Sequence, residues 1–269
     1  MSHTDPLPLV KAHALGNDFL LTPALAGAMG GHADLARHVC DRHRGLGADG
    51  LMFLHETEAG ADTRLFNADG GEAEVSGNGV RCAAAWLAHT RALAAGDSLT
   101  IGTVAGPKRL ELLGADAARY TFRAEMGPPT DLRVESLDVS GHAIEAVVLR
   151  VGNPQCVVLG AVNEERLHTL ASVLSVHPFF PDGTNVELAT VEAPDLVRIL
   201  IWERGVGPTE ASGTGACAAA VAAAFKGGAS RAVSVVSPGG TQSVEWTSDT
   251  IWLTGWAEIV GVAEWWGAF

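Results

Sequence analysis

The chain has 269 residues, 47% of them hydrophobic, which suits two compact units of about 130 residues better than one overgrown core. The net charge of −13 argues against phosphate backbones and anionic membrane surfaces as partners. The longest apolar run, Ala216 to Phe225, is too short to span a bilayer, and Met1 to Pro8 lacks the features of a signal peptide, so a cytoplasmic protein is expected. Cys40, Cys82, Cys156 and Cys217 show no metal-ligand spacing and read as free buried thiols, so no metal site is expected.

In chain order, Val10 to Leu21 reads as strand interrupted at Gly16-Asn17, and Leu35 to Arg42 has helical spacing. Leu51 to Leu54 and Thr63 to Phe66 are short apolar strands, followed by a loop from Asn67 to Glu74. A helix is expected from Ser76-Gly77 to about His89, because serine caps well and the alanine run propagates. Leu99 to Val104 and Arg109 to Leu113 form a hairpin around Gly106-Pro107, and Tyr120 to Met126 is one more strand. Gly127-Pro128-Pro129 marks the break between units.

Beyond it, strands are expected at Ala146 to Val151, Gln155 to Leu159, Val186 to Ala189 and Val197 to Trp202, with a helix at about Glu164 to Leu174. A helix opened by Ser212 follows, then strands at Val233 to Val236, Ser243 to Trp246 and Ile251 to Leu253. The domains are therefore 1–126, joined by the tail from about 258 to 269, and 127–257. The fold class is α/β in the α+β sense, with two pseudo-symmetric units, each a strand-rich sheet or barrel wrapped around a central helix.

The chain reads twice at an offset of 136 residues without a gap. Gly16-Asn17 maps onto Gly152-Asn153, Gly47-Ala48-Asp49 onto Gly183-Thr184-Asn185, and Phe66-Asn67 onto Trp202-Glu203. Ser76-Gly77-Asn78-Gly79 maps onto Ser212-Gly213-Thr214-Gly215. Two such copies facing each other build one cleft that presents equivalent groups to both faces of one atom. At each glycine motif, backbone approaches without a Cβ in the way, and the first-turn N–H groups with the helix dipole form an anion site for a carboxylate or phosphate. Asn17, Asn67, Asn153 and Asn185 add neutral donors and acceptors, although each one alone is more often a turn residue than a ligand contact. Glu203-Arg204 is an adjacent pair suited to an ammonium and, bidentately, a carboxylate.

These motifs, together with Ala14-Leu15-Gly16-Asn17-Asp18-Phe19, Phe66-Asn67-Ala68-Asp69-Gly70, Gly77-Asn78-Gly79-Val80-Arg81-Cys82, Gly152-Asn153-Pro154, Glu203-Arg204-Gly205, Gly213-Thr214-Gly215-Ala216-Cys217 and Pro238-Gly239-Gly240, resemble the diaminopimelate epimerase family over nearly the whole length. The resemblance implies two domains, no cofactor, and interconversion of LL- and meso-diaminopimelate in lysine and peptidoglycan precursor synthesis. It implies a small amino-acid substrate and no nucleic-acid or membrane partner, and a homodimer is a compatible assembly.

In that family two cysteines face each other across the α-carbon, one as thiolate base and one as thiol acid. Their positions here are Ser76 and Ser212. Cys82 and Cys217 lie deeper in the helices and do not replace them. Gln155 and Gly50 stand where the family often has histidine and glutamine. The residues that in the family hold the non-reacting end of the substrate all match, at Asn67, Asn185, Glu203 and Arg204, as do the helix-start contacts at Gly77-Asn78 and Gly213-Thr214. Two other readings stand beside an epimerase: a diamino-acid-binding protein without turnover, and a racemase or lyase of the same fold acting on another amino acid.

Overall fold

The computed structural model describes residues 6–23 and 31–267. Met1 to Asp5, part of the stretch read for a targeting signal, and Ala268-Phe269, the end of the tail, lie outside the described residues. The chain divides into two compact units, residues 1–122 with 256–269, and residues 123–255.

The first unit begins with an antiparallel hairpin, β1 (Leu7–Ala14) and β2 (Asn17–Pro23). Helix α1 (His32–Val39) follows, then β3 (Gly50–Thr57) and β4 (Gly60–Asn67). The segment read as a loop holds a short strand, β5 (Glu72–Ala73), before helix α2 (Gly77–Thr90), β6 (Ser98–Gly102) and β7 (Lys108–Asp116). The chain leaves this unit inside β8 (Arg119–Gly127), ahead of Gly127-Pro128-Pro129, where the strand ends.

The second unit holds β9 (Thr130–Val139), β10 (His142–Val151) and β11 (Asn153–Leu159). One continuous helical stretch follows, made of α3 (Glu164–Arg166), a π turn (Leu167–Ala171) and α4 (Ser172–Ser175). Then come β12 (Asn185–Ala193), β13 (Leu196–Glu203), β14 (Gly207–Thr209), α5 (Gly213–Ala222) with a π turn to Gly227, β15 (Ala232–Ser237), β16 (Gly240–Trp246) and β17 (Ile251–Trp265). The last strand runs on into the first unit, where Glu258 to Trp265 pair with β1.

The pairing order is the same in both units. β1 pairs antiparallel with β2, β2 parallel with β3, β3 antiparallel with β4, β4 parallel with β6, and β6 antiparallel with β7. In the second unit β10, β11, β12, β13, β15 and β16 repeat that alternation step for step. Each parallel step needs a crossover, and the helices supply it. The alanine-rich helices α2 and α5 are the second crossovers, and they are central: every residue of α5 is buried, as is α2 from Gly77 to Ala85. Small side chains let the surrounding strands close in on a helix that is apolar all round.

The offset of 136 holds at the Gly16/Gly152 and Gly47/Gly183 turns and at the starts of α2 and α5, but slips by one residue within two strands. Phe19 pairs with Gly50, whereas its copy Gln155 pairs with Asn185, one residue short of the expected partner. Leu21 pairs with Val10, whereas its copy Val157 pairs with Val147, one residue beyond. The first hairpin turns through Leu15 and Gly16, both at positive φ (56° and 87°), and the second through Gly152 alone (77°). The gapless repeat is thus corrected locally.

Candidate active site

In the first unit, Ser76 is extended (φ −128°, ψ 118°) and caps α2: its Oγ accepts the N–H of Gly79 at 3.0 Å. Behind this start lies a buried polar relay. Arg81 donates to Asn78 Oδ1, Asn78 Nδ2 donates to Asn17 Oδ1 at 3.0 Å, and Asn17 Nδ2 donates to Asp49 Oδ2 at 2.8 Å. Asp49 and Asp18 share Arg42, whose Nη2 lies 2.8 Å from an oxygen of each, and Lys11 also pairs with Asp18. Burial works to raise the Asp18 carboxyl, but the bonds and charges of Arg42 and Lys11 prevail and hold it down at about 2. Burial raises Asp49, and the neighbouring Asp18 charge adds to it. Asn67 ends β4, half-buried and paired with Gly50.

In the second unit, Ser212 takes the same conformation (φ −136°, ψ 131°), and its Oγ accepts the N–H of Gly215 at 3.2 Å. Its backbone carbonyl accepts Gln242 Nε2 at 3.3 Å. Asn153 accepts Gln155 Nε2 at 2.6 Å. Asn185 Oδ1 accepts the backbone N–H of Arg204 at 2.9 Å, and the Arg204 guanidinium donates to the Asp182 carbonyl at 3.0 Å. Asn185 therefore fixes the turn that carries Arg204, and Glu203 is the last residue of β13 beside it. The tight turn there runs through Gly205 and Gly207 at positive φ, 78° and 97°.

The structure thus gathers Ser76, Gly77, Asn78 and Asn17 at one helix start, with Asn67 on a strand of the same unit. It gathers Ser212, Gly213 and Thr214 at the other start, with Asn153, Asn185, Glu203 and Arg204 in that unit. Asp18, Asp49, Arg42, Arg81 and Glu187 were not picked out from the sequence as site residues. Glu187 carried the plainest signal, a carboxylate inside the apolar run Val186 to Ala189. All four cysteines are buried and form no disulfide among the described residues, and burial pushes the Cys40 and Cys82 thiols up to about 12 and raises Cys156 as well, so these three offer no ready thiolate. Among the described residues no cluster of histidine, cysteine and carboxylates is built to hold a metal, and no helix is long and apolar enough to cross a membrane.

Comparison with known proteins fixes the class. The described fold resembles, at 15% identity and a TM-score of 0.73, a predicted epimerase from Pseudomonas aeruginosa, covering 97% of this chain and 100% of the other. It is similar at 16% identity and a TM-score of 0.72 to a hydroxyproline epimerase from Agrobacterium vitis, with 98% and 93% covered. The model of the diaminopimelate epimerase family matches residues 9–132 and 147–260. The diaminopimelate epimerase of Desulforudis audaxviator is 40% identical over 96% of this chain and 99% of the relative. That of Moorella thermoacetica is 39% identical over 91% and 94%. Fold and relatives together define an amino-acid epimerase, an isomerase. Within that class, the chain belongs to the diaminopimelate epimerase family.

Proposed function

We propose that the chain interconverts LL- and meso-diaminopimelate without a cofactor, with Ser76 and Ser212 as the proton-transfer pair on opposite faces of the α-carbon. The observation that carries this is the matched build of the two helix starts, each with an extended serine whose oxygen takes the N–H of the third helical residue. The N–H groups of Gly77-Asn78 and Gly213-Thr214 take the reacting carboxylate. Arg204 takes the distal carboxylate and Glu203 the distal ammonium, with Asn17, Asn67, Asn153 and Asn185 completing the polar lining.

The serines set the rate. A thiol titrates near 8.5 and an aliphatic hydroxyl close to water, at about 15.7, a gap of roughly seven units. Populating the alkoxide therefore costs on the order of 10 kcal/mol more than populating a thiolate. Slow turnover follows, and it gives a second reading its footing: a protein that holds a diamino acid and releases it unchanged.

Incubation with LL-diaminopimelate in deuterated water separates the two. Deuterium entering the α-position together with inversion supports the epimerase. Saturable binding with neither exchange nor inversion supports the binding protein, and turnover of a different amino acid alone points to another member of the fold.

A further inference from the structure

The two helix starts match in backbone but differ in what lies beneath them. A Cβ added to Gly79, the third helical residue of α2, would meet Met52 Cε at 2.8 Å. One added to Gly215, its counterpart in α5, would meet Glu187 Oε1 at 2.7 Å. The one-residue slip between β3 and β12 makes Met52 the structural counterpart of Glu187. A thioether therefore fills the space under one helix start, and a carboxyl fills it under the other.

Glu187 is fully buried, and neither carboxyl oxygen has a hydrogen-bond partner among the described residues. It sits mid-strand on β12, opposite Val157 of β11 and Ile201 of β13. The titratable groups that act on it are Glu203 from β13 and the buried thiol of Cys156 from β11; the single titratable side chain of α5, Cys217, is two residues along the helix from Gly215 and so on a different helix face. Burial first, and the Glu203 charge second, push the carboxyl well above the usual range. Its own backbone N–H pulls the other way but is outside hydrogen-bond geometry. An unpartnered carboxylate at this depth would cost several kcal/mol, so the group rests as the neutral acid. Packing does not require an acid here, since methionine fills the same space in the other unit.

We infer that Glu187 is the proton-holding partner of Ser212, a neutral carboxylic acid set under the first turn of α5 that resupplies the serine oxygen as that oxygen protonates the substrate carbon. The point where a Gly215 Cβ would stand is 2.7 Å from Glu187 Oε1 and 3.2 Å from Ser212 Oγ, so the gap between the oxygens is at most the sum of these. A side-chain rotation or one bridging water closes such a gap. Ser212 Oγ already accepts from Gly215, which leaves its own proton free to be given.

In the step, the carbanion electron pair forms a C–H bond with the Ser212 hydroxyl proton. The Glu187 O–H breaks, its proton moves to the serine oxygen, and its electron pair stays behind on the carboxylate. Solvent reprotonates Glu187 between turnovers. Glu187 acts through Ser212 and is a positioning residue in that sense. This deepens the epimerase reading and rests on it for the step at carbon, although not for the coupling to residue 212.

Two measurements test it. In the first, Ser212→Cys is compared with Ser212→Cys/Glu187→Met by thiolate absorbance against pH. Burial pushes the native Cys40 and Cys82 thiols up to about 12 and raises the Cys156 thiol as well, and both variants share every native thiol, so a difference between their curves reports on residue 212. A carboxylic acid that donates to the thiolate lowers that titration, and the methionine variant should raise it by about one unit or more. Coincident titrations in two variants of equal melting temperature would overturn the pairing, with no substrate involved. In the second, Glu187→Gln keeps shape and neutrality but cannot release a proton. It should lower kcat for deuterium-traced inversion by about tenfold or more with KM unchanged. An unchanged kcat would overturn the proton-holding role. If the serine protein inverts no diaminopimelate at all, the epimerase reading fails, while the thiol titration still decides for or against Glu187.

Discussion

Restoring the thiol pair, Ser76→Cys/Ser212→Cys, perturbs the proposed chemistry most directly. Each new Sγ would stand where Oγ now accepts a helix N–H, at 3.0 Å from Gly79 and 3.2 Å from Gly215. Thiols at helix starts titrate below their usual 8.5 and approach neutrality. Against a hydroxyl near 15.7, about seven units of base population are regained, or on the order of 10 kcal/mol. If roughly half of that is offset by the greater intrinsic basicity of an alkoxide, the rate should still rise by about three orders of magnitude. The assay is deuterium incorporation and inversion of LL-diaminopimelate, run on both single variants as well. A single thiol should help far less, because inversion needs a base on one face and an acid on the other, and exchange without inversion is its expected signature. The reasoning is refuted if the serine protein is active and the double variant is no faster. Serine would then be working with a partner strong enough to erase the thiol advantage.

Three further outcomes are expected. Asp18→Asn should cost about 2 kcal/mol at pH 7, the worth of a carboxyl held at about 2 against its ordinary 3.8. Because the folded value is the depressed one, that stability is present above pH 4 and fades as pH falls toward 2. Urea unfolding of both proteins at pH 7 and pH 3 checks it, and equal stabilities at pH 7 would contradict the ion-pair account. Arg204→Lys and Glu203→Gln should each weaken meso-diaminopimelate binding about tenfold or more in calorimetry, the first through loss of the bidentate fork despite the kept charge. Unchanged affinity in both would remove the pair from the site. Gly215→Ala should lower the melting temperature more than Gly79→Ala, because the new methyl meets a buried carboxyl at 2.7 Å in one case and the flexible end of Met52 at 2.8 Å in the other. The reverse order in calorimetric melting would show that Glu187 yields more readily than a thioether.

The parts of this molecule legible in its sequence are those whose chemistry is local. Gly47 and Gly183 hold φ of 73° and 74°, a region that disfavours other residues, so the paired loops announce themselves wherever the chain is read. Ser76 and Ser212 cap helices by an interaction spanning three residues, and the alanine runs behind them propagate. Strand β9 is hard to read because of its position: Asp131-Leu132-Arg133-Val134-Glu135 does alternate, but the phase slips at Ser136, and from Thr130 to Val139 only Leu137 is buried, so the pattern is short and tied to no core. The Arg81–Asn78–Asn17–Asp49 relay joins side chains from a helix, a strand and a loop, with Asn17 and Asn78 separated by 61 positions, so no window of sequence contains it.

Glu187 is hidden for a subtler reason. Counted at the offset that aligns the glycine turns and the starts of α2 and α5, its copy is Leu51, a strand residue of the α1-side core. Counted by the strand pairing, its copy is Met52, under the start of α2. A one-residue slip turns a side chain to the other face of a sheet, so the difference decides whether Glu187 belongs to the outer core or to the helix start. Duplication of a domain preserves the devices that set the backbone, because a lost cap or a lost left-handed glycine damages the fold at once. The side chains beneath the helix are freer, provided the volume is filled. In this chain that freedom was used asymmetrically. Two serines in like geometry face unlike floors, apolar on one side and acidic on the other, and the two proton transfers of an epimerase acting here are therefore chemically unequal.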